Sequence, residues 1–267
     1  KFKFGKGTQV AKDVIRKYNL NKEDLVIDIG SNDGTLLGFF KEEEIPVLGI
    51  DPAKNVAAAA NSKGIPTLPE FFNLKLAQKL KKEKGIAADF VYGSNVLAHV
   101  PEINDFVLGV KTILKPEGSA VFEFPYISGL MENKFDIIYH EHVFYYSLIA
   151  LKNLFKMAGL GLYDVEQIPV QGGSLRIFVS HQNVFPVSEA VKNITARELA
   201  AGFDKIETYQ RMGASVNNLK DKLISVLAKI KSEGKSIAAY SAPAKGNILL
   251  NYFGLKNYLD FIVDKSP

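Results

Sequence analysis

A glycine-rich turn between two short apolar segments constrains the fold of this chain more than any other feature. The first segment, residues 25–29, ends at a turn spanning residues 30–34, and residues 35–40 have the composition of a helix. The second segment, residues 46–50, ends directly before Asp51. This order predicts the first βαβ unit of a nucleotide-binding α/β sheet, in which an acid after the second strand accepts hydrogen bonds from ribose hydroxyls.

The spacing and charge of the turn bear on which nucleotide it binds. A dinucleotide loop has the pattern G-x-G-x-x-G, which brings backbone N–H groups to a pyrophosphate. Here three residues separate Gly30 from Gly34, and Asp28 and Asp33 add two carboxylates. Two carboxylates repel a pyrophosphate but suit a ligand that carries an ammonium and a sulfonium. The turn therefore favours S-adenosylmethionine (SAM) over NAD and resembles the first two motifs of class I methyltransferases, while a turn without a ligand stays open.

Length and composition limit the class of protein. A chain of 267 residues accommodates one large α/β domain and a smaller second unit. The net charge of +4 is spread along the chain and predicts no nucleic-acid partner, and no apolar run approaches the ~20 residues of a membrane span. The absence of cysteine suits a reducing cytoplasm. Because the chain starts without Met and ends on a predicted strand, we expect a fragment of a longer protein.

Alternating apolar and helical segments predict a doubly wound sheet over residues 1–185. Its last two strands, residues 162–170 and 174–181, are joined by glycines and predict an antiparallel hairpin. Five strands that alternate with helices precede this hairpin, and the fifth is predicted over residues 119–124. The expected fold class is therefore α/β, with the seven-stranded, Rossmann-like sheet of class I methyltransferases and SAM-binding loops at its carboxyl edge.

The remaining chain divides into a helical part and a second α/β part. Apolar residues recur at helical spacing from 188 to 233 and predict one or two long helices across the connection 186–234, which Gly213 could interrupt. Residues 235–267 read as strand, helix and strand. We expect there a second, smaller and partial Rossmann-like domain.

The segment 139–142, Tyr-His-Glu-His, holds two of the four histidines and follows the fifth predicted strand. Three interpretations remain open. A zinc site typically needs histidines four apart on a helix, which this segment lacks. A structural role would have His and Glu cap a turn. Acid–base chemistry, with an imidazole oriented by a neighbouring carboxylate, fits the residue types best, so no metal is predicted.

Four segments in order give the chain its resemblance to a known family. They are residues 27–34 (Ile-Asp-Ile-Gly-Ser-Asn-Asp-Gly), 139–142, 172–176 (Gly-Gly-Ser-Leu-Arg) and 242–247 (Ala-Pro-Ala-Lys-Gly-Asn). Together they resemble the nucleotide-sugar C-methyltransferases of deoxysugar pathways, over essentially the whole chain. That family has a cysteine-ligated zinc module, a SAM domain and a C-terminal Rossmann-like domain. A chain without cysteine lacks the zinc module, and Ser241 stands where the family often has Gly.

The resemblance implies a reaction and its residues. A 4-keto group acidifies the C3 proton of a nucleotide-linked deoxyhexose, His142 removes that proton, and the enolate attacks the SAM methyl to leave S-adenosylhomocysteine. Tyr139, Glu141 and His99 would line the sugar site beside His142. The alternatives are an O- or N-methyltransferase in which this cluster is structural, and a module that binds SAM or a nucleotide sugar without chemistry.

The loops supply the candidate binding residues. Those expected to contact SAM follow the first four strands: Asp28, Gly30, Asn32, Gly34, Asp51, Pro52, Phe71 and Asn95. Asp28, Gly30 and Asn32 would hold the methionine end, Asp51 the ribose and Phe71 the adenine. Arg176, Lys245 and Asn247 are the candidate substrate contacts, with the two cations directed at the diphosphate. The sequence leaves the oligomeric state open.

Overall fold

The computed structural model describes residues 7–132, 135, 138–169, 173–241 and 243–265. The strands are β1 Val26–Ile29, β2 Val47–Ile50, β3 Thr67–Leu68, β4 Ala88–Ser94, β5 Leu114–Pro125, β6 Leu160–Ile168, β7 Ser174–His181, β8 Ala238–Tyr240 and β9 Phe261–Val263. The helices are α1 Gly7–Tyr18, α2 Thr35–Glu42, α3 Lys54–Ser62, α4 Leu74–Lys84, α5 Ile103–Ile113, α6 Ser128–Met131, α7 Leu148–Met157, α8 Glu189–Ala200, α9 Ile206–Ser232 and α10 Ala244–Phe253.

The first seven strands form one mixed sheet in the order β3-β2-β1-β4-β5-β7-β6. The pairs among β1 to β5 are parallel, while β7 runs antiparallel to both β5 and β6. The chain reverses from β1 outward to β3 and then returns to β4, so the carboxyl ends of β1 and β4 frame a crevice that can bind a ligand. The predicted seven-stranded fold is confirmed.

Strand alternation sends side chains to both faces of this sheet. Ile27 faces the core that α4, α5 and α7 cover, whereas Val26 faces the core beneath α1 and α2. Phe106 and Phe40 are buried at the centres of these two layers. Each such side chain contributes about 1.5–3 kcal/mol through its burial. The two apolar layers fix the strand ends on which the candidate site is built.

The starts of two strands differ from the sequence prediction. β6 begins at Leu160 instead of residue 162. β5 begins at Leu114 instead of residue 119, because residues 115–118 continue the strand through an irregularity in its pairing with β4. The predicted hairpin includes Val170, Gln171 and Gly172, which lie outside the described residues.

The helical connection consists of α8 and α9, separated by residues 201–205. The expected break at Gly213 is wrong, since Gly213 lies inside α9. The chain turns instead at Gly202. Its φ of 73° lies in the left-handed region, where a residue with a side chain would be strained. A glycine inside a helix costs about 1 kcal/mol relative to alanine, which a 27-residue helix with packed apolar side chains tolerates.

The second unit is a β-α-β arrangement in which β8 pairs parallel to β9 and α10 connects them. Phe253 and Leu255, near the end of α10, are buried against Val216 of α9. The second, smaller α/β unit that the sequence predicts is therefore present. Among the described helices, none has the length and apolar character needed to cross a membrane.

Candidate active site

The turn between β1 and α2 has a backbone that requires its glycines. Gly30 and Gly34 have φ values of 73° and 76°, and Asn32, at 52°, shares the left-handed region. A Cβ atom on Gly30 would lie 2.8 Å from the Val96 side chain, and one on Gly34 would lie 2.9 Å from Ile65. Side chains are therefore excluded both by conformation and by space, and the backbone stays open at the carboxyl end of β1.

Asp51 is held rigidly at the carboxyl end of β2. One carboxylate oxygen accepts a hydrogen bond from the Asn32 N–H and the other accepts one from the Ala53 N–H, both at 2.9 Å. The side chain is buried. Because each carboxylate oxygen has a second lone pair, Asp51 can still accept hydrogen bonds from a ligand diol.

The two remaining carboxyl groups of this region differ in environment. Burial raises the pKa of Asp28 to about 8, and the nearby Asp51 carboxylate adds to the effect. Asp33 instead accepts hydrogen bonds from Lys63 at 2.6 Å and from the Thr35 hydroxyl, and these partners hold its pKa at about 2. The expectation that both Asp28 and Asp33 face a ligand is wrong for Asp33, because Lys63 and the start of α2 take up its carboxylate.

A cavity of about 520 Å³ opens at the carboxyl ends of β1, β2 and β4. The predicted cofactor contacts that line it are Gly30, Asp51, Pro52, Phe71 and Asn95, and the predicted catalytic His99 lines it as well. Asp28, Asn32 and Gly34 belong to the adjoining strand and turn. The cavity falls within the range of pockets that bind cofactors.

Phe71 and its neighbour Phe72 have opposite surroundings. Phe71 is 76% exposed and lines the cavity, whereas Phe72 is buried and packs edge-on against Phe106 at 5.3 Å. At the other side of the cavity Asn95 has a φ of 55°, and its N–H donates to the Glu123 carbonyl at 2.7 Å. An exposed aromatic ring, an acid at a strand end and an open glycine backbone fit an adenosine.

A larger hollow of about 920 Å³ lies at the opposite, amino edge of the sheet. Its lining includes Lys115, which is paired with Asp89 at 2.7 Å. Doubly wound sheets bind their ligands at the carboxyl ends of the strands, so the smaller cavity is the better candidate.

The structure brings three predicted catalytic residues together beside the cavity. The Tyr139 hydroxyl lies 3.0 Å from Nε2 of His142, and the ring centres of His99 and His142 are 5.0 Å apart. His99 ends a short 3-10 helix, Leu97–His99, and the Val143 N–H donates to the carbonyl of Ala98 at 2.7 Å. Two segments that are distant in sequence thus form one polar cluster.

The residues of the segment 139–142 differ in their exposure to solvent. His142 is buried, while His140 and Glu141 are exposed. Burial raises the pKa of Tyr139, and the charge of Glu141 raises it further. In the described part of the chain, no group of three or more His, Asp or Glu side chains surrounds a common metal position.

Sequence reasoning missed Tyr145. Its hydroxyl accepts the Tyr139 N–H at 3.2 Å, and its ring lies 5.7 Å from that of His142. The only signal available was the aromatic run at residues 144–146. This run lies between the cluster and α7 and gave no indication of which ring faces His142.

The predicted substrate contacts belong to two elements, with Arg176 on β7 and Asn247 on α10. Arg176 is 1% exposed, and its guanidinium donates to Glu123 at 2.6 Å and to Glu166 at 3.1 Å. This geometry disfavours Arg176 as a diphosphate ligand, because the side chain is buried and its Nε and Nη1 groups already bind carboxylates. Asn247 is exposed on α10. The Lys245 side chain, Gly172 and Ala242 lie outside the described residues.

Family models match both parts of the chain. A model described as a methyltransferase domain matches residues 8–165, and one described as a C-methyltransferase C-terminal domain matches residues 169–267. The chain is 34% identical over 243 residues to the C-methyltransferase NovU of Streptomyces niveus, which covers 90% of this chain and 58% of NovU. The chain therefore spans less than two thirds of the length of this relative.

Solved structures share the fold of the seven-stranded sheet. Magnesium protoporphyrin IX methyltransferase (ChlM) from Synechocystis PCC 6803 with bound SAH matches with a TM-score of 0.51 and 14% identity, over 66% of this chain and 83% of ChlM. A SAM-dependent methyltransferase from Clostridium acetobutylicum matches with a TM-score of 0.51 and 10% identity, over 67% of this chain and 92% of that chain. Identities this low show the fold alone.

Proposed function

The chain belongs to the methyltransferase-domain family, whose cofactor is SAM, and we propose that it transfers a methyl group to carbon. The match of residues 169–267 to a C-methyltransferase C-terminal domain supports carbon as the acceptor, as does the relative NovU. We propose further that the acceptor is C3 of a nucleotide-linked 4-keto-deoxyhexose, as the four sequence segments imply. Such a substrate places the reaction in deoxysugar biosynthesis.

The cavity residues fit SAM by their chemistry. Asp51 would accept the ribose hydroxyls, Phe71 would stack on the adenine, and the open backbone at Gly30 would admit the methionine part. Asp28 would lie below the ammonium, where a positive charge favours its ionised form. Asn95 would supply an amide at the end of β4. When bound, SAM supplies an electrophilic methyl group.

The observation that carries the proposal is the Tyr139–His142–His99 cluster beside this cavity. A carbon acceptor requires a base that removes a C–H proton, whereas many oxygen acceptors need less help. The His142 imidazole would accept the C3 proton, and the C–H electron pair would pass into the enolate. Tyr139 would hydrogen-bond the enolate oxygen or hold the imidazole, and Glu141 would orient the pair from outside.

Two assays test the proposal on the same substrate. With SAM and a nucleotide-linked 4-keto-deoxyhexose, the wild type should form S-adenosylhomocysteine and a product whose new methyl group NMR places on carbon. Without SAM, the wild type in D2O should exchange the C3 proton of the sugar. His142→Ala should lower both rates by about 10²–10⁴-fold, the usual contribution of a general base.

His181→Ala is the matched control, because His181 lies at the far end of β7 and away from the cluster. It should retain both rates. A methyl group on oxygen or nitrogen, or a His142→Ala variant that keeps most of its turnover, would refute the proposal. Binding of SAM without turnover of any 4-keto sugar would favour a binding module instead.

A further inference from the structure

Glu198 is a buried carboxylate that the reaction described above does not use. It lies on α8 in the helical connection and is 1% exposed. One carboxylate oxygen accepts hydrogen bonds from the Tyr126 hydroxyl at 2.8 Å and the Leu148 N–H at 2.7 Å. The other accepts one from the Ile149 N–H at 2.9 Å. Three hydrogen-bond donors, one from Tyr126 and two from the start of α7, therefore converge on one side chain of the helical connection.

The position of Glu198 matches its charge. Leu148 and Ile149 are the first residues of α7, where backbone N–H groups lack partners within the helix and the helix dipole is positive. Ser147 caps the same helix end through its hydroxyl, which accepts the Ala150 N–H. Hydrogen bonds to an ionised carboxylate are shorter and stronger than neutral ones. Glu198 consequently fixes where α7 begins.

The start of α7 is connected to the catalytic cluster through residues 142–147. The Ile127 N–H donates to the Tyr146 carbonyl at 3.3 Å, beside the residue that donates to Glu198. The Tyr146 hydroxyl donates to the Leu97 carbonyl at 3.1 Å, and the Val143 N–H donates to that of Ala98. Residues 142–147 thus connect the start of α7, which Glu198 holds, to the 3-10 helix that carries His99.

We propose that Glu198 is a positioning residue that sets the relative placement of His142 and His99 by anchoring residues 142–147 from the helical connection. This inference rests on the proposed function, since it assigns Glu198 a part in that reaction. An apolar side chain would pack between α7 and α8 equally well, but it would leave the donors of Tyr126, Leu148 and Ile149 unpaired. The need to pair these three donors therefore explains why a carboxylate occupies this position.

Glu198→Gln tests the inference with little change in side-chain volume. Gln has one acceptor oxygen, and its NH2 group would face donors, so it cannot satisfy all three partners. Ile194→Ala is the matched control, because Ile194 is buried on the same helix one turn earlier and contributes packing alone. Comparison of the two variants separates a displacement of His142 and His99 from a loss of stability.

Histidine-ring NMR provides a readout that does not depend on turnover. The chain has four histidines, of which His181, at the far end of β7, serves as the internal reference. We expect Glu198→Gln to shift the His99 and His142 signals and to leave the His181 signal in place. The kcat should fall about 10- to 100-fold, as misplacement of a catalytic group by about 1 Å can cause, while the Kd for SAM changes less than twofold.

Ile194→Ala should lower the Tm without these changes. Equal histidine shifts in the two variants, or unchanged shifts in Glu198→Gln, would overturn the inference. If Glu198→Gln fails to fold, Tyr126→Phe removes one of the three hydrogen bonds and should give a smaller effect in the same direction; no effect would overturn the inference too. If the wild type transfers no methyl group to carbon, the proposed function fails while the NMR comparison still decides the anchoring role.

Discussion

Replacing Asp28 by Asn should stabilise the protein and weaken its binding of SAM. Asp28 is buried in β1, and burial together with the Asp51 carboxylate raises its pKa to about 8. An unfolded Asp has a pKa near 3.9. Between about pH 4 and pH 8 the native protein therefore holds a proton that the unfolded chain has released, so stability falls as the pH rises through this window.

The magnitude follows from the width of that window. Each pH unit inside it removes about 1.4 kcal/mol of stability through this one group. At pH 7, about three units above the unfolded pKa, Asp28 costs about 4 kcal/mol relative to a side chain that is always neutral. Asn has nearly the same shape and no charge. The gain from Asp28→Asn should therefore be about 1–2 kcal/mol at pH 5 and about 4 kcal/mol at pH 7.

Denaturant unfolding at pH 5, 6 and 7 measures this difference, and calorimetric titration with SAM measures the binding. Affinity for SAM should fall about tenfold or more, because Asn cannot pair with the ammonium as an ionised carboxylate does. Asp33→Asn is the control: its carboxylate is already ionised throughout this range and paired with Lys63, so its effect on stability should not vary from pH 5 to pH 7. A stability difference for Asp28→Asn that is the same at pH 5 and pH 7 would show that Asp28 is not held neutral.

Three further predictions address the site and its support. Asp51→Ala should lower SAM affinity about 10- to 100-fold in a calorimetric titration, through loss of hydrogen bonds to a charged acceptor, and unchanged affinity would remove Asp51 from the site. Gly30→Ala should lower the free energy of unfolding, measured with denaturant, by about 1–3 kcal/mol because of its φ of 73°. Gly38→Ala, in an open part of α2, should instead raise it by about 1 kcal/mol, so equal effects would contradict the strain argument. Arg176→Met should cost about 3 kcal/mol by removing the cation from two partly buried carboxylates, and adding Glu123→Gln should recover part of this loss, so a purely additive double variant would argue against the ion pair.

The local features of the sheet were predictable from the sequence. The order of strand, turn, helix and strand around residues 25–51 depends on apolar runs and glycines, which act over a few neighbours. β7 spans the residues predicted for it. The preference for SAM also came from local chemistry, although Asp33, one of the two carboxylates on which the argument relied, is paired with Lys63. Helix ends were less predictable, as Gly213 shows, because packing outweighs the intrinsic cost of one glycine.

The sequence by itself determined the α/β class, the seven strands and the loop that faces the cofactor cavity, since hydrophobic periodicity and turn chemistry are properties of neighbouring residues. Tertiary structure decided which distant groups meet. It placed His99 against His142, paired Arg176 with two glutamates and brought Glu198 from α8 to the start of α7. These pairings depend on how strands and helices pack around a shared core, and no local pattern encodes the partner of a buried charge.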